Sequence, residues 1–151
     1  MEYRLIKQVR DHDILRRSFM ELADKVFGIS FQRWYEQGYW TDRYIPYVIA
    51  KGERVIACAA ANRMKLVWHG RETAQIQIGT VMTDPDYRNR GLSAGLIKEI
   101  LSDFQDCCHG FYLFANSTVL DFYPKFGFGR NVEYEHIVPV VKAKCFFEKL
   151  D

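Results

Sequence analysis

A strand, a proline turn, an arginine-rich loop and a helix follow one another in the stretch Val81-Met82-Thr83-Asp84-Pro85-Asp86-Tyr87-Arg88-Asn89-Arg90-Gly91-Leu92-Ser93. The first turn of a helix leaves several backbone N–H groups without acceptors and carries a partial positive charge, so an anion is stabilised there. Gly91 lets the backbone approach such an anion closely, and Arg88 and Arg90 add two full charges. The chemistry is that of a phosphate or pyrophosphate site. It is not a Walker loop, because no Gly-Lys-Ser/Thr follows. Taken alone, the two arginines also read as a solvated turn.

A second constellation lies downstream. The apolar run Phe111-Tyr112-Leu113-Phe114-Ala115 ends at Asn116 and is followed by Phe122-Tyr123-Pro124-Lys125-Phe126-Gly127-Phe128. Together, Arg88-Asn89-Arg90-Gly91-Leu92-Ser93 and this closing segment resemble the GNAT superfamily of acetyl-CoA-dependent N-acetyltransferases. The family's pyrophosphate loop reads Gln/Arg-x-x-Gly-x-Gly/Ala, and Ser93 departs from it at the last position. The resemblance implies that backbone N–H groups from Arg88 to Ser93 hold the pyrophosphate of acetyl-CoA. It implies that Val81, Met82 and Thr83 pair with the pantetheine arm like an added strand, one N–H there polarising the thioester carbonyl. Asn116 falls where the family's fifth strand splays away and meets the cofactor, and it equally reads as a turn or capping residue. Tyr123 falls at the general acid that protonates the departing thiolate. Its ordinary pKa of about 10 keeps it protonated at neutral pH, and a core aromatic is the alternative.

The base that takes the proton of the acceptor amine is not evident. The strand Ala74-Gln75-Ile76-Gln77-Ile78-Gly79-Thr80 carries no carboxylate. Glu72 precedes it and Asp84 follows it, and either could act as the base through water. Gly91-Leu92-Ser93-Ala94-Gly95 spells the nucleophile elbow of serine hydrolases, but that motif needs a strand running directly into its first glycine, and Tyr87-Arg88-Asn89-Arg90 is not one. Cys107-Cys108-His109 lacks the second cluster that a zinc site requires. Aromatic residues gather early in the chain. In the GNAT family that helical region walls the acceptor site, which marks Trp34, Tyr35, Tyr39 and Trp40 as a lining suited to a flat or cationic acceptor, beside the plainer reading of core aromatics.

The elements around these residues follow from periodicity. Tyr3 to Val9 reads as a strand, Asp11 or Asp13 caps a helix ending at Gly28, and Ser30 caps a shorter one reaching Gly38. Strands over Tyr47–Ala50, Val55–Ala61 (extending through Trp68) and Ala74–Thr83 form a meander, with Ile76, Ile78 and Thr80 on one face. Leu92, Leu96, Ile97, Ile100, Leu101 and Phe104 make an amphipathic helical stripe. Phe111–Ala115 reads as a strand buried on both faces. A brief helix over Leu120, Phe122 and Tyr123 precedes strands at Val132–Val138 and Ala143–Leu150. The expectation is one α/β domain over residues 1–151 with the GNAT fold: a mixed, mostly antiparallel seven-stranded sheet flanked by about four helices.

Composition bounds the rest. The 151 residues are 48% hydrophobic and 26% charged with a net charge of +2, which suits one packed domain and argues against a dedicated nucleic-acid binder. No apolar run approaches the roughly 18 residues a membrane span needs, and Cys58, Cys107, Cys108 and Cys145 form no disulfide or zinc pattern. A cytoplasmic enzyme is expected, with acetyl-CoA and a primary-amine acceptor (small molecule or protein amine) as its partners. The terminal strands permit a homodimer. A domain that binds acyl-CoA as a sensor or regulator without catalysis is the alternative.

Overall fold

The computed structural model describes residues 2–132. The strands expected over 132–138 and 143–150, and the homodimer they would permit, lie outside the described residues apart from Val132. Within them the order is β1 (Tyr3–Lys7), α1 (Asp13–Phe27), α2 (Gln32–Glu36), β2 (Tyr44–Lys51), β3 (Arg54–Trp68), β4 (Arg71–Thr83), α3 (Leu92–Phe104) and β5 (Gly110–Tyr112), with 3₁₀ turns at Pro85–Tyr87, Ser117–Val119 and Tyr123–Phe126. One sheet has the order β1-β2-β3-β4-β5; β1 to β4 are antiparallel and β5 joins β4 in parallel. The mixed α/β sheet thus has five strands and three α-helices among the described residues, against the seven and about four expected. The helix expected over Leu120–Tyr123 is replaced by 3₁₀ turns, since Pro124 and Gly127 (φ +90°) leave no room for a full α-turn register.

Two cores sandwich the sheet. On one face α1 presents Leu15, Phe19, Leu22 and Ala23 to Val48, Val55, Cys58 and Met82. His12, rather than an aspartate, caps α1, its Nδ1 accepting from the Leu15 N–H at 3.4 Å. On the other face the α3 stripe of Leu96, Ile97, Ile100 and Phe104 packs on Tyr47, Ala57, Ala59, Ile76 and Ile78. Burying such stripes contributes about 1.5–3 kcal/mol per large side chain. The alanines of β3 matter here because they let both helices approach the sheet closely.

Two departures from simple alternation shape the functional end. Between Cys58↔Met82 and Ala60↔Gly79 the β3–β4 register shifts, so Thr80 and Val81 stand opposite Ala59 alone. One extra residue moves the following side chains to the other face. Ile76 and Ile78 therefore face α3 while Met82 faces α1, and Thr80 does not share the isoleucine face as its spacing implies. The strand after α3 also differs from expectation. Only Gly110–Tyr112 pairs with β4, all three residues are half-buried, and Phe114 is 68% exposed. The half-burial of Gly110, Phe111 and Tyr112 and the exposure of Phe114 fall short of the complete burial expected over Phe111–Ala115. No helix among the described residues is long and apolar enough to cross a membrane.

Candidate active site

Strand β4 is paired with β3 throughout but with β5 only at Gln75, Ile76 and Gln77. From Ile78 to Thr83 its outer edge is free among the described residues, because the chain after β5 turns away through the Asn116 cap. A free strand edge exposes a row of backbone donors and acceptors. Within that row the bulge at Thr80 and Val81 turns backbone groups out of the β3 ladder. Thr80 itself has φ +49°, an uncommon conformation for a β-branched residue that costs of order 1–3 kcal/mol. Gly79 before it was the signal in the sequence, since glycine inside a strand marks bulges.

At the end of β4 the loop into α3 alternates in handedness. Asn89 (φ +62°) and Gly91 (φ +73°) are both left-handed, and Gly91 caps α3 without a side-chain hydrogen bond. Among the described residues no protein acceptor takes the N–H groups of Asn89 through Ser93, and no acidic residue stands in the first turn of α3. That leaves a concave set of donors with a helix dipole behind them, which suits an anion. Ser93 Oγ lies 2.7 Å from Thr83 Oγ1, tying the strand end to the helix start. The two arginines differ. Arg88 is exposed, with one long contact of 3.5 Å from Nε to the Thr83 carbonyl. Arg90 is braced: it donates to Tyr3 Oη and the Asp86 carbonyl at 3.1 Å and lies over the Tyr87 ring at 5.1 Å.

Tyr123 opens the turn Tyr123–Phe126, packed edge-on against Phe122 and Phe128 and only 9% exposed. It lines a cleft of about 870 Å³ with Leu101, Phe111, Leu113 and Ala115. Burial pushes its hydroxyl above the ordinary tyrosine pKa, so it stays a proton donor at neutral pH. Asn116 is exposed and caps the next turn, its Oδ1 accepting from Thr118 N at 3.1 Å and Thr118 Oγ1 at 3.2 Å. The N–H donors of its side-chain amide are left for another acceptor.

The four aromatic residues expected at the acceptor wall separate. Trp40 is buried, stacked on Trp34 at 5.8 Å, and donates its Nε1–H to the Tyr44 carbonyl. So enclosed, it has no face to offer a ligand. Trp34 and Tyr35 are partly buried on the same core, with Arg16 over the Tyr35 ring at 4.1 Å, and Tyr39 is exposed.

Neither carboxylate considered as a base is placed for it. Glu72 is eight residues from Thr80 along β4, roughly 27 Å at strand rise. Asp84 is 2% exposed and holds Lys25 Nζ at 3.1 Å and Arg54 Nη2 at 2.7 Å while accepting from the Asp86 N–H at 3.2 Å. Burial works against its charge, but that hydrogen bond and the two cations outweigh it and hold its carboxyl below the usual range. It is a structural anion that pins the loop to α1 and β3. It borders a second cavity of about 780 Å³, between α1 and the β2–β3 turn, that contains none of the expected donor residues. The hydrolase reading also lacks support. Gly91 follows a turn, Ser93 bonds Thr83, and His109 is tied to the Ala74 backbone. Among the described residues no group of His, Cys, Asp and Glu is gathered for a metal.

A bulged strand with a free edge, ending at a bare helix N-terminus, is an arrangement that suits an extended ligand with an anionic end. A sequence profile described as an acetyltransferase (GNAT) domain matches residues 6–130. The chain belongs to the GNAT acetyltransferase family. No curated protein sequence matches it significantly. Its fold is shared with an acetyltransferase from Trypanosoma brucei at 20% identity and TM-score 0.71, covering 91% of this chain and 99% of that one. It is similarly shared with glucosamine-6-phosphate N-acetyltransferase from Arabidopsis thaliana at 17% identity and TM-score 0.71, covering 93% and 100%. A predicted acetyltransferase with acetyl-CoA from Clostridium acetobutylicum aligns at 17% identity and TM-score 0.69, covering 91% and 96%.

The role of Asp84 has a pH signature. Its folded-state pKa is depressed, so its stabilising charge is fully present above about pH 4 and is lost as pH falls through the lower folded value. Asp84→Asn destabilises the protein at pH 7 by about 1–2 kcal/mol, the half-exposed cations placing the effect at the low end for charged hydrogen bonds. Thermal melts from pH 7 to pH 3 show the gap between wild type and variant closing on the acid side. Identical melts at pH 7 contradict the assignment.

Proposed function

We propose that the protein is an N-acetyltransferase that moves an acetyl group from acetyl-CoA to a primary amine by direct attack in a ternary complex. The observation that carries this is the run of acceptor-free N–H groups from Asn89 to Ser93 at the end of a bulged, free-edged strand. The acetyl-CoA of the related Clostridium acetobutylicum structure supports the same donor. Arg88 to Ser93 hold the pyrophosphate, Arg88 supplying mobile charge while Arg90 fixes the loop. Val81 to Thr83 take the pantetheine arm along the β4 edge, and the side-chain amide N–H of Asn116 meets it from the diverging side.

The amine nitrogen attacks the thioester carbonyl carbon. Negative charge develops on the carbonyl oxygen, where a bulge N–H stabilises it; such donors are worth about 3–4 kcal/mol to a transition state. The C–S bond then breaks, and the thiolate takes the Tyr123 hydroxyl proton. Trp34, Tyr35 and Tyr39 bound the acceptor. The amine sheds its own proton to solvent, since Glu72 and Asp84 are both disqualified by position.

Calorimetric titration with acetyl-CoA and CoA tests the donor site. Micromolar binding is expected, weakened about tenfold or more by Arg88→Ala, the loss of one charge-assisted phosphate contact. Absence of binding at millimolar ligand contradicts the proposal. Thiol release across a panel of amines separates catalysis from a sensor, which binds acetyl-CoA and turns over no amine.

Tyr123→Phe lowers kcat roughly 10²-fold with little change in KM for acetyl-CoA. An unchanged kcat removes Tyr123 from the proton transfer.

A further inference from the structure

Thr80 holds an uncommon backbone conformation in the middle of a strand, and something must keep it there. Its Oγ1 accepts a hydrogen bond of 2.9 Å from the Tyr44 hydroxyl. Tyr44 is 7% exposed, and nothing in the acetyl-transfer scheme uses it directly. Its ring is enclosed by four aromatic neighbours: Phe19 at 6.3 Å, Phe31 stacked at 6.0 Å, and Trp34 and Trp40 edge-on at 5.3 Å each. Its carbonyl is fixed as well, accepting from Trp40 Nε1 at 3.2 Å and Gln8 Nε2 at 3.1 Å. A side chain so enclosed has no alternative rotamer, so its hydroxyl is a fixed point rather than a mobile donor.

We propose that Tyr44 is a positioning residue that locks the β4 bulge at Thr80 and thereby sets the direction of the N–H that polarises the thioester carbonyl. The inference rests on the acetyl-transfer reading of the same cleft. The physical need is specific. A backbone donor must stand about 2.7–3.1 Å from the developing oxyanion to be effective, and a strained residue relaxes unless its surroundings over-determine it. The Tyr44–Thr80 hydrogen bond does that from the face opposite the α3 core. It makes the α1–α2 aromatic cluster a rigid support for one atom of the active site.

The test reads the carbonyl itself and needs no acceptor amine. Infrared difference spectra of [1-¹³C]acetyl-CoA bound to the wild-type protein show the thioester stretch moved to lower frequency than in solution. Tyr44→Phe returns the band at least halfway to its free position while the Kd for CoA stays within about twofold. Thr80→Ala, which leaves the core untouched, does the same. The Tyr44→Phe/Thr80→Ala double variant loses no more than either single change, because both remove one interaction. Thr80→Ser keeps the hydroxyl and the shifted band. Full retention of the shift in Tyr44→Phe or in Thr80→Ala, or additive losses in the double variant, overturns the proposal while leaving donor binding intact. Failure of the wild-type protein to bind CoA at all instead overturns the donor reading on which it rests.

Discussion

One extra residue in β4 governs the rest of the structure. The bulge at Thr80 and Val81 converts a strand that packs Ile76 and Ile78 toward α3 into one that packs Met82 toward α1. It does so where β5 has already stopped pairing. Without it, β4 would be an uninterrupted ladder with every inner donor satisfied by β3. With it, a strand edge acquires donors that point elsewhere. The cost is a β-branched residue at positive φ, and the surrounding aromatic cluster is what makes that conformation tolerable.

The far end of β4 is held by different means. Asp84 ties together three elements: its backbone N–H donates to the Ile56 carbonyl of β3, its carbonyl accepts from the Tyr87 N–H of the 3₁₀ turn, and its carboxylate holds Lys25 of α1 and Arg54 of β3. The loop from Arg88 to Gly91 therefore starts from a rigid anchor and can spend its two left-handed residues on presenting N–H groups. Thr83 and Ser93 close the same loop from the other side. Rigidity at both ends suits a site that must present several weak donors together, because each contributes only if the others are already in place.

The order of strands, the meander, the α3 stripe and the Gly91 start of α3 were legible from the chain, because periodicity and glycine placement report local conformation directly. Tyr123 enters as a proton donor through family resemblance alone and as part of the proposal, while the charges of Arg88 and Arg90 are read directly from the sequence. Three features were not. Thr80 looked like a third inward residue after Ile76 and Ile78, since alternation alone does not reveal an insertion, although Gly79 hinted at one. Trp40 looked like a ligand-facing aromatic, but its indole N–H is committed to the Tyr44 carbonyl inside the core. Asp84 looked like a spare carboxylate; only the fold shows Lys25 and Arg54, distant in sequence, converging on it. The cations on Asp84 and the β3 register opposite Thr80 are remote along the chain, which spacing does not encode, whereas Trp40 is enclosed by Phe19 and Trp34 of two other elements while bonding a carbonyl only four residues on.

The central claim is that the N–H groups from Asn89 to Ser93 hold the pyrophosphate of the acyl donor. Backbone amide resonances followed during titration with CoA test it at the atoms concerned. The account predicts that the amides of Arg90, Gly91, Leu92 and Ser93 move first and furthest, with Val81 and Thr83 following and the Lys25–Arg54 cavity silent. Saturable shifts centred on that cavity, with the Asn89–Ser93 amides unmoved, would contradict it.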